Sequence, residues 1–482
     1  MTALLAAGVG LGSAVPVSAG IRGDGRPLWL VITLVAAGIL ALVGLAALGD
    51  RLRWSHTRYR ITEERVELRF SWIVHRLRSV PRDRIRTVDL TANPLRRLFG
   101  VVKVQIGTGQ QAGDNTQLVL NPLDVRLAER LRAELLARPA PTEQPEKPGA
   151  IAALNWSWIR YAPVSVTTPI LGAAAFGGLL QLSDWFGLRR TVLGEAGALL
   201  RDLPVPVMIA LLVLTGVIIG VLGSLALFVE LWWGYRLTRA DGVLRVRRGL
   251  LTTRSVSLDE SRLRGVEVVE PVGARLLGAA KVDAVATGLR GKENDERGDP
   301  RTLLPPAPRA VAHRVAAEIL GEPTPPTETA RLRPHPRAAR RRRLIRALGG
   351  TLLASTALAL LGLLLGAVFL HLAWIALVIG LPVTIALALD AYRNLGHGIT
   401  GGFLVTRYGA GSRHTVALQR AGVIGWTVTS SPFQRRAGLI TLTATTAANR
   451  GAYLIRDVAE GDGLAFADEA VPGLLTPFLE GR

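Results

Sequence analysis

The chain has 482 residues, with 58 Lys and Arg against 37 Asp and Glu, a formal net charge of +21, and no cysteine. Without thiols there are no disulfides, thiolate metal sites or cysteine nucleophiles. The positive excess suits either nucleic acid or an anionic membrane face, and uncharged apolar blocks far longer than a core strand favour the membrane.

Taken in chain order, residues 1–20 are uncharged but contain Gly, Ser and Pro16. A signal peptide would need a basic start, and no Lys or Arg precedes Arg22. A spanning helix needs about 20 apolar residues. Residues 28–48 qualify. So do 161–182, more weakly because Gly and Ala dilute them, and 204–228, with Pro206 near the start. Residues 347–391 are long enough for two helices, with a break expected around His371. The expectation is six helices in three pairs, or five if 1–20 does not span. Within each pair the connection is poor in Lys and Arg, with only Arg22, Arg26, Arg189, Arg190 and Arg201. The segments between and after the pairs should therefore face the cytoplasm.

Those segments repeat one design. The first opens on Tyr59-Arg60-Ile61-Thr62, the second on Tyr235-Arg236-Leu237-Thr238, and the third retains Ile399-Thr400. Ile85-Arg86-Thr87-Val88, Leu263-Arg264-Gly265-Val266 and Val423-Ile424-Gly425-Trp426 follow as strand-like stretches. Basic elements carrying Arg96 and Arg97, Arg275, and Arg435 and Arg436 then end on Gly100, Gly278 and Gly438. From Thr62, Thr238 and Thr400 to those glycines the spacing is 38, 40 and 38 residues, which marks an internal repeat. Period-2 runs such as 243–247 and 102–106 predict half-buried strands. Leu127, Leu131 and Leu135, and likewise Val311, Val315 and Ile319, predict an amphipathic capping helix. In the third copy the prolines of 471–479 argue against a regular cap. Residues 138–148 and 322–336 read as Pro-rich tethers, and 289–301 as a charged loop.

Helix pairs followed by Tyr-Arg-(Ile/Leu)-Thr and a short β module closing on Gly resemble bacterial PH-domain membrane proteins of the YdbS/YdbT type, in the longer three-repeat form. The resemblance implies a membrane α-helical plus β protein. Each of its three repeats is a transmembrane helix pair followed by a PH-like β sandwich or barrel capped by a helix. The boundaries expected are helix pairs at 1–50, 157–232 and 347–391. PH-like modules follow at 55–138, 233–321 and 392–482, with linkers at 139–156 and 322–346.

No HExxH, Walker or Gly-x-Ser-x-Gly motif occurs. His56, His75, His313, His335, His371, His397 and His414 show no metal-ligand spacing. No catalytic, cofactor or metal residues are therefore assigned. Residues 331–346 hold eight arginines, including Arg340, Arg341, Arg342 and Arg343. They serve as a positive-inside topology signal and as an attraction for anionic lipid. Arg96, Arg97, Arg245, Arg247, Arg248 and Arg275 are the module residues expected to contact lipid or partner. A solvated strand face is the alternative for those on strands. Trp54, Trp156, Trp158, Trp232 and Trp233 flank helix ends as interfacial anchors.

The function expected is a multi-pass scaffold or adaptor of the bacterial inner membrane, with its modules cytoplasmic. Its expected partners are anionic lipids and a membrane or cytoplasmic protein, which could be a second copy or a YdbS-like protein, and not nucleic acid. The alternative is an accessory component of a transport, export or toxin-resistance system.

Overall fold

In a computed structural model of the chain, the described residues are 57–62, 64–71, 75–81, 85, 87–107, 118–136, 149–165, 167–185, 204–287, 299–447 and 451–475, with four positions between 37 and 44. Apart from those four positions the first expected helix pair lies outside them, as do the 138–148 tether and most of the 289–301 loop.

Module 1 comprises β1 (Thr57–Ile61), β2 (Arg65–Ser71), β3 (His75–Pro81), β4 (Thr87–Ala92), α1 (Pro94–Leu98), β5 (Val101–Gly107), β6 (Leu118–Asp124) and α2 (Val125–Leu136). Next come β7 (Gly149–Ala153) and two helices, α3 (Thr167–Trp185) and α4 (Val205–Trp232). Module 2 repeats the order with β8 (Arg236–Ala240), β9 (Val243–Arg248), β10 (Thr253–Asp259), β11 (Leu263–Glu270), α5 (Val272–Leu276), β12 (Ala279–Ala286), β13 (Thr302–Pro308) and α6 (Arg309–Leu320). After α7 (Pro326–Thr329) come α8 (Arg337–Leu365), α9 (Ala367–Ile375) and α10 (Leu381–Arg393). Module 3 contains β14 (Gly396–Thr400), β15 (Phe403–Tyr408), β16 (Arg413–Gln419), β17 (Val423–Thr429), α11 (Pro432–Arg435), β18 (Leu439–Thr446), β19 (Ala452–Ala459) and α12 (Glu460–Ala470).

The closing glycine has the same task in all three modules. Gly100, Gly278 and Gly438 have φ of 64°, 68° and 61°, where a side chain would be strained. Each N–H caps the short basic helix by donating to Arg97, Arg275 or Arg435. Each carbonyl accepts from the first residue of the capping helix, Val125, Arg309 or Glu460. In module 1, Val66 and Val80 of the first sheet pack with Val88, Val104 and Leu118 of the second and with Leu131 of α2. Apolar alternation thus buries one face of each sheet and the helix closes the end. The modules are sandwiches of two three-stranded sheets, and among the described residues no closed barrel forms.

Modules also share sheets. β4 of module 1 pairs antiparallel with β10 of module 2, giving a seven-stranded sheet ordered β6-β5-β4-β10-β9-β8-β7. β11 of module 2 pairs with β16 of module 3 in a six-stranded sheet ordered β13-β12-β11-β16-β15-β14. Ion pairs cross both seams. Arg254 donates to Asp89 at 2.6 and 3.0 Å, and Glu267 accepts from His414 at 2.8 Å. Burial pushes the Glu270 carboxyl up, but Arg413 and Arg309, which both pair with it, hold it below the ordinary value.

Among the described residues three helical spans are long and apolar enough to cross a membrane: Pro206–Trp232, Arg337–Leu365 and Ala367–Arg393. The shorter, Gly- and Ala-rich α3 is not among them, although it packs along α4. A Cβ on Gly172 would sit 2.4 Å from the Gly216 carbonyl, and one on Gly220 2.4 Å from that of Thr168. Small residues let the two backbones touch. Gly220→Leu should push the helices apart and cost about 1–3 kcal/mol, read as a lowered unfolding midpoint in detergent. An unchanged midpoint would mean that this contact does not hold the pair.

Three expectations need correction. The reversal in the third pair falls at Gly366, φ 130°, and not around His371, which lies inside α9. Module 3 does have a capping helix, α12. It lies before the proline-containing tail, and its Gly463 lets it sit against Val458 and Ile440. Residues 322–336 are packed rather than a free tether: Thr327 and His335 are buried, and the main chain of Arg333 bridges to His397 on β14.

Candidate functional site

The Tyr-Arg-Leu-Thr opening divides its work. Tyr235 is buried and its hydroxyl donates to the Leu303 carbonyl at 2.5 Å, anchoring β8 to β13. Burial raises the phenol far above its ordinary value, so it remains a neutral donor. The next side chain, Arg236, is exposed and directly opposite Arg247 on β9. Opposed like charges destabilise a strand pair unless something neutralises them.

Both side chains line a cleft of about 350 Å³ with Arg97, Trp233, Gly234, Arg248, Gly249, Leu250 and Thr253. Among the described residues four arginines and no carboxylate line it. Arg97 enters from module 1 and donates to the Leu250 carbonyl at 3.3 Å, so the cleft lies on the first seam. Arg248 forms its buried wall. Its guanidinium lies 4.2 Å over the Trp232 ring and donates to the Asp299 carbonyl at 2.9 Å. Burial pulls it down to about 10, as does Arg254, while Asp89, Asp299 and Tyr235 act against the shift. It remains charged at neutral pH. Trp233 and Trp156, both half exposed, meet edge to face at 5.2 Å where α4 ends. Trp233 also lines the cleft, which therefore opens beside the end of α4.

The second seam disposes of the equivalent arginine differently. Glu230 at the end of α4 accepts from Leu251 N and Thr252 N, and Asp390 at the end of α10 accepts from Gly411 N. These carboxylates occupy one repeat position, as do Arg97 and Arg275. Arg275 binds Asp390 at 2.8 and 3.1 Å, so its charge is taken up internally.

Of the arginines singled out in the sequence, Arg97, Arg247 and Arg248 come together in the cleft, and Arg275 locks the second seam. Arg96 is half-buried on α1, outside the cleft lining. Arg245 is exposed on β9, where with Arg247 it adds to the burial that lowers Arg132 to about 10. Arg340 and Arg341 are exposed, whereas Arg342 and Arg343 turn inward to the buried Asp457. They line a second cavity of about 510 Å³ with Arg346, Arg456 and Asp457. Sequence reasoning missed Arg236 and Asp457. Arg236 was readable, being the Arg of the recurrent Tyr-Arg opening. Among the described residues no three His, Asp or Glu converge as metal ligands.

Comparison with known proteins agrees with this architecture. The bacterial PH domain family matches residues 8–139, 191–322 and 353–469. Transmembrane protein YdbT of Bacillus subtilis (strain 168) is 22% identical over 284 residues, covering 54% of this chain and 55% of the relative. The chain thus spans about half the length of that curated relative. No solved structure matches. Three family matches fall on three modules that share the glycine closure and follow one element order, and the chain belongs to the bacterial PH domain family.

Proposed function

We propose that the chain is an integral scaffold of the bacterial inner membrane that holds three PH-like modules at its cytoplasmic face and binds anionic headgroups in the Arg97–Arg236–Arg247 cleft. The observation that carries this reading is the direct opposition of Arg236 and Arg247 in a cleft without a carboxylate, beside interfacial tryptophans. A phosphate monoanion there would accept hydrogen bonds from both guanidinium groups and remove their repulsion. Arg340 and Arg341 add exposed charge at the start of α8, at about 1 kcal/mol per basic residue near the surface.

The test is lipid binding by the full chain in nanodiscs of neutral lipid doped with phosphatidylglycerol or phosphatidylserine. Arg97→Gln/Arg236→Gln/Arg247→Gln should weaken retention of the anionic lipid by about tenfold or more. The difference should shrink as salt rises. Arg245→Gln, on the same strand but outside the cleft, should have a smaller effect. Equal retention by the triple variant and the unmodified chain would remove the cleft as a lipid site.

A further inference from the structure

We infer that the chain assembles head to tail with further copies of itself, β17 of one copy adding to β3 of the next. The seam between modules has one form, used twice. At the first seam Leu258 pairs with Thr87, and at the second Leu418 pairs with Gly265. Thr87 and Gly265 are equivalent in the repeat, opposite Gly107 on β5 and Val285 on β12. Leu258 and Leu418 are likewise equivalent, opposite Leu244 on β9 and Leu404 on β15. The register is thus identical at the two seams. The fourth strand of one module always meets the third strand of the next.

Among the described residues that rule leaves one donor edge and one acceptor edge over. Among the described residues β17 pairs only with β18, and β3 only with β2. The consequence is visible in burial. Positions 87–90 of β4 and 265–270 of β11 are buried, whereas Thr427, Val428 and Thr429 of β17 are exposed. Unpaired edges of this kind are templates for strand addition. The flanking element is also ready. Arg97 donates across the first seam to Leu250, and Arg275 across the second to Gly411. Arg435 stands at the same place in module 3 and is exposed, as Arg97 is.

A second copy is the occupant because it carries the complementary edge. Extending the shared register places Gly425 opposite Val80, Thr427 opposite Arg78 and Thr429 opposite Arg76 of the next copy. Modules that already join in this way are tied to one membrane by their helices. A third use of the same step keeps the incoming module on that membrane. Such a heterologous contact continues as a ring or an open row. The third seam is the weaker one, because Thr427 stands where Asp89 and Glu267 supply a carboxylate to the first two.

The absence of native cysteine makes the test direct. Two full-length chains with different tags, one Arg78→Cys and one Thr427→Cys, are co-expressed and oxidised in native membranes. Opposed Cα atoms in an antiparallel pair lie within disulfide reach. The expected result is a mixed-tag adduct absent when Glu64→Cys replaces Arg78→Cys, together with a multi-chain mass for the cysteine-free chain in mild detergent. Thr427→Asp should tighten assembly by roughly two- to fivefold by restoring the acidic partner. A single-chain mass overturns the inference. So does a multi-chain mass without the adduct, which would place self-association on another surface. Adduct formation with a different protein in place of the second copy also overturns it. Lipid retention by the cleft is a separate readout, so failure of either reading leaves the other in place.

Discussion

Asp457→Ala should destabilise module 3 by about 3–5 kcal/mol, the range for leaving a buried charge without its partner. Asp457 is 2% exposed and receives hydrogen bonds from Arg342, from Arg343 at 3.2 Å and from the Gln434 side chain at 3.0 Å. The carboxylate therefore ties the first turns of α8 to β19 and, through Gln434, to α11. Its backbone has φ 59°, a conformation that Asp and Asn tolerate better than Ala. Asp457→Asn separates the contributions, because it retains the backbone preference and the volume but removes the charge. It should fall between Ala and the native residue. The measurement is unfolding of the full chain in detergent, with hydrogen exchange over 396–470 to localise the loss. If Ala is within about 0.5 kcal/mol of the native residue, the scale of an ordinary surface change, Asp457 is not the joint between helix and module.

Acidification should weaken the same module through a pair of buried histidines. The Asp457 carbonyl can only accept, so His335 Nδ1–H donates to it at 3.1 Å. His335 Nε2 then accepts from His397 Nδ1–H at 3.1 Å. His397 Nε2 is buried without a hydrogen-bond partner, and the ring packs edge-on against Phe466 at 4.7 Å. Burial is the main reason the His397 imidazole is pulled down to about 3, with His335 and Arg333 adding to it, and burial lowers His335 as well. The folded state therefore binds fewer protons than the unfolded state, whose histidines titrate near 6.5. The His397 contribution is complete above about pH 6.5 and falls as pH drops toward 3, at about 1.4 kcal/mol per unit, and His335 acts in the same direction. Between pH 7 and 5, His397 alone should account for a loss of about 2 kcal/mol. His397→Phe should lower stability at neutral pH, because His335 loses its donor, yet flatten the pH slope by about one proton. A slope unchanged by the substitution would mean that the acid response arises elsewhere.

Much of the architecture was legible because its signals are local. Runs of about 20 apolar residues, the period-2 strands and the three closing glycines each fix nearby structure. The glycine spacing revealed the repeat, since only a glycine suits the left-handed turn that caps the basic helix and feeds the last one. The shared sheets were hidden, because the partner of β4 lies beyond a whole helix pair and no local pattern names it. The buried Asp89 and Glu267 were the available hints, as charges on strands otherwise apolar. The arginine run was half legible. Ala339, Arg342 and Arg343 recur at helical spacing and form the inward face of α8, whereas Arg340 and Arg341 are exposed. Helical periodicity over 337–346 is enough by itself to separate the two sets. Helix α12 was obscured by Gly461 and Gly463, which lower helix propensity but allow close approach to β19.

The seam between β4 and β10 also imposes an order on biogenesis. Ala92 is synthesised well before Thr253, its partner in the finished sheet. At about 5–20 residues per second that interval lasts roughly 8–30 s. For that time the outer edge of β4 is open beside a ribosome that is still delivering α3 and α4. The seam cannot close until the intervening helices have turned the chain back, so docking of module 2 reports that they have been placed. Asp89 and Glu267 then have an earlier task than pairing. A carboxylate on a waiting edge discourages the wrong neighbour until Arg254 or His414 arrives. Thr427 gives the outer edge of β17 no such guard.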